Sequence, residues 1–187
     1  MSHRFTLDAL KELISARNDS AQGMRICIES LSLSPFENPP LRALLLSYLE
    51  ECTLAVEELQ SLVRLLGGQP DTVARSPESI ERRRREIQDR IARAARSRSA
   101  TASIGLPSAC NQDGVILEQC ERGESRVLEV YRNAMDDPLP GLVRAIVLRQ
   151  FEDVMTNHDQ IRDLRNQWSP LVDSGAGNGA QAGQLQS

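Results

Sequence analysis

Two stretches of the sequence carry polar residues whose types and helical spacing could bind a metal ion. In EQCERGESRVLEVY (118–131), Glu124 lies among apolar residues. In RQFEDVMTNHDQIRDL (149–164), His158 is one of only two histidines in the chain. Carboxylates can neutralise and bridge two cations, and an imidazole can fill a further coordination position. Two interpretations follow: a metal site in a helical bundle, or a core that holds two satisfied polar residues.

The complete ligand set of a di-iron bundle is absent from the sequence. Such a centre takes a Glu from each of two helices and a Glu-x-x-His from each of the other two. Met155 stands three residues before His158, and Val56 occupies the equivalent of His158 in the second helix. A reduced iron or manganese site would have to use the following residues: Glu124, Glu152, Glu50, Glu51 and His158.

The alternative for these residues is structural. A buried carboxylate without a partner is costly, so Glu124 is expected to be hydrogen-bonded or paired with an arginine such as Arg17. His158 is then a satisfied interior or boundary histidine. Counting from the short turn, its level in the bundle predicts that it faces Glu121, Glu118 or Cys120.

Four long helices with apolar residues at three- and four-residue spacing would position these groups. The spacing predicts helices from about Thr6 to Leu31, from Pro40 to Leu66, from Gly114 to Met135 and from Leu142 to Trp168. Thr6 is the expected N-cap of the first helix. GGQP (67–70) is expected to end the second, because glycine favours the position after a last turn.

The second and fourth helices resemble each other, which indicates a repeated hairpin. RAL (42–44) falls on RAI (144–146), and EE (50–51) falls on ED (152–153). Short turns make each hairpin antiparallel, and the long middle segment becomes the connection between them. We therefore expect an all-α, ferritin-like four-helix bundle of two antiparallel helical hairpins joined by a long crossover.

The expected organisation is a single four-helix-bundle domain over residues 1–168. Its parts are a hairpin at 6–68, a crossover at 69–113 that contains a short basic helix, and a hairpin at 114–168. Residues 169–187 are small and polar, which predicts a disordered tail.

The crossover is rich in arginine. Between positions 75 and 98 stand nine arginines and four acidic residues, although the whole chain has a net charge of -4. This segment is interpreted as a solvated helix across an acidic bundle, or as a patch for an acidic protein or another polyanion. The patch residues would be Arg82, Arg83, Arg84, Arg85 and Arg90. No aromatic residues are interleaved to stack on bases, so nucleic acid is not the expected partner.

Composition excludes several classes of protein. Of the 187 residues, 40% are apolar and only 3% are aromatic, which favours packed helices over a β-sandwich. No apolar run approaches the ~20 residues that span a bilayer, and no signal peptide is evident. The four cysteines lack CxxC spacing, which predicts reduced thiols and a cytoplasmic location. The phosphate-binding glycine motifs are absent.

ILEQCERGESRVLEVY, followed by a short proline turn and HDQIRDLRN, resembles an uncharacterised bacterial family of ferritin-like four-helix-bundle proteins. LQSLVRLLGGQP is similar to the same family, whose members carry a domain of unknown function. The resemblance covers roughly residues 6–68 and 114–168. It implies the bundle fold and a metal-binding ancestry. The segment 71–113 departs from the family's usual crossover, which tends to carry tryptophan and glycine.

The expected function is that of a non-enzymatic cytoplasmic helical bundle that acts through self-association or protein partners, with no catalytic residues and no cofactor. The alternative is a degenerate ferritin-like bundle that binds iron or manganese.

Overall fold

The computed structural model describes five α-helices and no strand within residues 2–32, 38–70, 77–101 and 109–168. In chain order they are α1 (Ser2–Ser32), α2 (Pro39–Leu65), α3 (Pro77–Thr101), α4 (Ala109–Asp136) and α5 (Gly141–Trp168). The predicted all-α class is confirmed over these ranges. None of their helices combines the length and the apolar character that crossing a bilayer requires.

The four long helices that flank α3 form two hairpins, α1 with α2 and α4 with α5. The hairpins meet along α1 and α4, whereas α2 and α5 touch at few points. Ser20 contacts Glu124, and further along α1 Cys27 lies beside Cys120, so α1 and α4 run antiparallel. Helices α2 and α5 also run antiparallel, because their hydrogen-bonded partners follow opposite orders along the two helices. The pairs are Tyr48 with Gln160, Glu51 with Asn157, and Glu58 with Gln150.

Helix α3 lies against α1 and α4. Its apolar residues recur at helical spacing, and Ile87 and Ile91 are buried against the bundle at 3% and 7% exposure. An ion pair of 3.0 Å between Arg84 and Glu29 joins α3 to α1. The arginine-rich helix α3 is thus amphipathic, with one apolar edge in the core.

The apolar core has two halves. One half is built around Met24, Leu45 and Ile116, and the other around Leu10, Leu59 and Val147. Along every long helix the division falls near the middle. Buried polar side chains occupy the level between the two halves.

Asn38 fixes the start of α2 and ties it to α4. Its side-chain oxygen accepts a hydrogen bond from the backbone N–H of Leu41 at 3.1 Å, which is an N-cap contact. Its side-chain nitrogen donates to Asp113 at 2.7 Å. Burial raises the pKa of Asp113, and the hydrogen bond from Asn38 opposes that rise.

The end of α2 follows the glycine pattern that the sequence predicted. Gly67 has a φ of 71° and donates to the carbonyl of Arg64 at 2.9 Å, and Gly68 donates to that of Val63 at 2.9 Å. A Cβ on Gly68 would lie 2.7 Å from Leu7 Cδ2, so this position also allows the start of α1 to approach.

Several predictions about boundaries differ from the structure. Helix α1 begins at Ser2, so the prediction of Thr6 as its N-cap is wrong; Thr6 is a buried residue inside the helix. Helix α4 begins at Ala109, inside the range assigned to the crossover. The basic helix is not short: α3 has 25 residues against 27 in α2, because its apolar edge continues beyond the arginine run. The predicted tail, 169–187, lies outside the described residues.

Replacing Ile87 with alanine should destabilise the protein by about 2–5 kcal/mol, because it removes buried methyl groups where α3 meets the bundle. Urea unfolding followed by circular dichroism measures this change. Arg82→Ala, at an exposed position of the same helix, should stay within about 0.5 kcal/mol of the wild type. Equal, small effects of both substitutions would show that α3 does not pack on the bundle.

Candidate functional site

A layer of buried polar side chains crosses the middle of the bundle between the two apolar halves. It contains Arg17 and Ser20 from α1, Glu124 from α4, and Gln150 and Asn157 from α5. Arg17 is 2% exposed and Glu124 is 0% exposed. Glu124 lies among apolar residues in the sequence, and its burial confirms the expected interior position.

Arg17 is held by aromatic and sulfur groups. Its Nε donates to the Tyr131 hydroxyl at 3.1 Å, and its Nη1 donates to Cys52 Sγ at 3.6 Å. The guanidinium carbon also lies 5.4 Å from the centre of the Tyr131 ring, within cation–π range. The guanidinium stays charged in proteins, so these contacts replace part of the hydration that burial removes.

The hydrogen bonds continue from Tyr131 to the surface. The Tyr131 hydroxyl donates to Gln150 Oε1 at 2.7 Å. The Gln150 amide nitrogen donates to the Ala55 carbonyl at 3.3 Å and to Glu58 at 2.6 Å. This chain of contacts passes through all four long helices, from α1 to α4, then α5, then α2.

Glu124 has one hydrogen-bond partner. The Ser20 hydroxyl donates to its Oε1 at 2.5 Å, while its Oε2 is buried and has no partner among the described residues. The prediction of a hydrogen-bonded carboxyl is therefore confirmed, with Ser20 as the donor. Arg17 makes no contact ion pair with Glu124 in the described part of the chain, although its charge acts on the carboxyl.

Burial raises the pKa of Glu124 above the usual glutamate value. The hydrogen bond from Ser20 and the charges of Arg17 and His158 oppose this rise, whereas the Glu51 carboxylate adds to it. The interior therefore favours the protonated carboxyl more than water does.

The thiols and the tyrosine near this carboxyl are also held in their neutral forms. Burial, with a further contribution from Glu124, raises the pKa of Cys52 to about 11. Burial and the Glu51 carboxylate raise the pKa of Tyr48 to about 12. The hydrogen bond that Cys120 shares with Cys27, together with burial, raises the pKa of Cys120 well above its usual value. Protonated thiols are poor nucleophiles and poor metal ligands, so this layer does not present an activated cysteine.

The residues of the predicted metal site do not meet in the interior. Glu124 is buried, but the other three carboxylates of that set are exposed: Glu50, Glu51 and Glu152. Glu51 accepts a hydrogen bond of 2.7 Å from Asn157. Within the described ranges, no three His, Cys, Asp or Glu side chains are grouped so that they could hold a metal ion.

His158 is half-buried and faces different neighbours from those predicted. Its Nε2 lies 3.1 Å from the Ser125 hydroxyl, and its Nδ1 lies 3.4 Å from Asp159. The prediction that it faces Glu121, Glu118 or Cys120 is wrong, because the register of α5 on α4 differs. Glu121 instead pairs with Arg165 at 2.5 Å.

The predicted arginine patch is divided between internal ion pairs and solvent. Arg84 pairs with Glu29, and Arg85 lies 3.7 Å from Glu81. Arg82 and Arg90 are exposed, and Arg83 is half-buried. The structure adds arginines from α4 to the same surface, which the linear sequence did not indicate.

Three members of the polar layer were not identified as site residues from the sequence: Ser20, Gln150 and Asn157. A signal was present, since Ser20 follows Arg17 by three positions and Asn157 follows Gln150 by seven, which keeps each pair on one helical face. Gln150 likewise lies at helical spacing from the buried Val143 and Val147.

The chain matches no protein-family model and no curated protein in sequence comparisons.

Replacing Glu124 with glutamine should make stability less dependent on pH. The raised pKa of Glu124 means that its protonated form favours folding. That contribution is present below the unfolded pKa of about 4.3 and is lost as the pH rises through the folded value. Glu124→Gln has no such loss, so its free energy of unfolding should increase relative to that of the wild type as the pH rises. The increase is about 1.4 kcal/mol for each unit by which folding raises the pKa of this carboxyl.

Urea unfolding of both proteins from about pH 4 to about pH 8 measures this difference. Glu129→Gln is the matched control, because Glu129 is exposed on the same helix. A difference between wild type and Glu124→Gln that stays constant with pH would contradict the assignment.

Proposed function

We propose that this chain is a non-enzymatic helical bundle that acts by binding an acidic protein partner through a groove between α3 and α4. The groove is lined by arginines from both helices: Arg83, Arg90, Arg93, Arg122 and Arg126. We refer to these five residues as the arginine groove. Its larger part has a volume of about 360 Å³, with Ile91 and Val115 on its apolar side.

The observation that carries the proposal is the incomplete neutralisation of this groove. Arg122 pairs with Glu118 at 2.8 Å. Arg90 donates to the neutral Gln119 at 3.5 Å, and Arg93 donates to a backbone carbonyl at 3.2 Å. No carboxylate among the described residues pairs with Arg90, Arg93 or Arg126. Arginine binds carboxylates through paired N–H groups, so carboxylates of a partner fit these positions.

An acidic protein suits the groove better than a nucleic acid. Among the described residues, its lining includes no aromatic side chain on which bases could stack. The net charge of the chain is -4, so any anionic partner has to be held by the local arginines and not by a long-range field. A protein partner can combine a few carboxylates with apolar contacts to Ile91 and Val115.

Three finer points belong to the same proposal. The helix order and the α3 crossover support a ferritin-like arrangement of the bundle, as the resemblance to the bacterial family implies. The unpaired thiols Cys27, Cys52 and Cys120 support a cytoplasmic location. A second copy of the chain is the other protein that could supply the carboxylates, because the chain has 26 acidic residues against 22 basic ones.

The alternative function is a degenerate ferritin-like bundle that binds iron or manganese. Its support is the buried Glu124, whose Oε2 has no partner in the described part of the chain. Such a site would need Glu51 and His158 to move toward Glu124, because these groups are not gathered around it. Elemental mass spectrometry after loading with Fe(II) or Mn(II) separates this function from the first.

Charge reversal tests the arginine groove. Arg90→Glu combined with Arg93→Glu should weaken binding of a fluorescent poly-glutamate peptide by at least about tenfold, because it removes charge-assisted hydrogen bonds. Binding should also weaken as salt is added. Fluorescence anisotropy measures both effects.

The matched control reverses two exposed arginines elsewhere, Arg4→Glu with Arg42→Glu, and should bind like the wild type. Equal loss in both variants, or no binding by the wild type at low salt, would overturn the proposal. Tighter binding to duplex DNA than to poly-glutamate would point to a nucleic-acid partner instead. Sedimentation of the wild type and the Arg90/Arg93 variant reports whether a second copy occupies the groove.

A further inference from the structure

A second cavity opens between α2 and α5, at the interface where the two hairpins touch least. It has a volume of about 630 Å³, within the usual range for small-molecule sites. Its lining is polar and charged, apart from Leu54 and Ala55. We refer to it as the α2–α5 cleft.

Arg17 lies at the inner end of this cleft. The side chain is 2% exposed, and yet it borders the cavity. A guanidinium has five N–H donors, and the contacts with Tyr131 and Cys52 use one on Nε and one on Nη1. Nη2 donates to no side chain or carbonyl among the described residues. A buried cation therefore retains donors that an oxygen-bearing ligand in the cleft could use.

The walls nearer to solvent have the opposite charge. They carry three carboxylates, Glu51, Glu58 and Asp153, and one further cation, Arg149. Arg149 is already engaged, at 2.5 Å from Glu58 and 3.5 Å from Asp153. Glu51 is bonded to the neutral amide of Asn157 and pairs with no cation in the described ranges. The cleft is thus positive at its inner end and negative toward its mouth.

We propose that the α2–α5 cleft binds a small zwitterion, with its carboxylate on Arg17 and its ammonium group among Glu51, Glu58 and Asp153. A simple anion would be attracted by Arg17 but repelled by the three carboxylates. A simple cation would suit the mouth but would meet Arg17 at the inner end. A molecule with both charges satisfies both ends, and arginine–carboxylate pairing fixes its orientation.

The proposal is independent of the arginine groove. It uses α1, α2 and α5, whereas the groove uses α3 and α4, so either site can exist without the other.

Isothermal titration calorimetry with amino acids of graded length tests the cleft. The probes are glycine, 4-aminobutyrate and 6-aminohexanoate, and the comparison ligands are butyrate and butylamine, each of which has one of the two charges. At least one zwitterion should bind about tenfold more tightly than butyrate or butylamine, because it gains a second charge-assisted contact. Absence of binding by all three zwitterions, or equal binding of butyrate, would overturn the proposal.

Variants locate the binding. Glu51→Gln and Asp153→Asn, both at the mouth of the cleft, should each lower the affinity for the zwitterion by up to about tenfold. Glu50→Gln is the matched control, since Glu50 is an exposed neighbour on α2 that does not line the cleft. Arg17→Lys should weaken the carboxylate contact, because a lysine cannot reproduce the paired donors. If Arg17→Lys does not fold, the two mouth variants decide: wild-type affinity in both would contradict the proposed site.

Discussion

A guanidinium buried at the centre of a helical bundle has to be hydrogen-bonded by the protein, because removing a charge from water is costly. In this chain Tyr131 and Cys52 each accept one hydrogen bond from the guanidinium of Arg17. Tyr131 passes the hydrogen bonding to Gln150, which reaches Glu58 near the surface. Each of the four long helices contributes one step, so the network fixes their register relative to one another. Networks of this kind are sensitive to every member, since a missing partner leaves a buried polar group unsatisfied.

The same layer explains why the two sides of the bundle differ. On the α1–α4 side, Ser20 and Glu124 bring the helices together, and α3 covers the outer surface with Ile87 and Ile91. On the opposite side, the polar contacts between α2 and α5 involve long side chains, and the helices stand far enough apart to leave the cleft. The α1–α4 side therefore presents the arginine groove, and the α2–α5 side gives access to Arg17. The α2–α5 cleft borders the central polar layer through Arg17, whereas the arginine groove lies on the outer surface of α3 and α4.

Much of this fold follows from helical periodicity, because the seams of apolar residues are long and regular. The same periodicity indicated that Glu124 lies inside, and the need for a partner predicted a hydrogen bond to the carboxyl. Which partner the carboxyl has depends on the register between α1 and α4, and helical periodicity does not fix that register to within one turn. The neighbours of His158 were mistaken for the same reason. The α2–α5 cleft arises from the spacing between two helices, which no local pattern encodes.

Arg17 and Tyr131 act as one unit that holds the polar layer together. A double-mutant cycle with Arg17→Met and Tyr131→Phe, measured by urea unfolding, tests this coupling. We expect a coupling free energy of about 0.5–3 kcal/mol between the two substitutions. A second cycle, Arg17→Met with Val143→Ala in the more distant core, should be additive within about 0.5 kcal/mol. Additivity of Arg17 and Tyr131 to the same limit would contradict the claim.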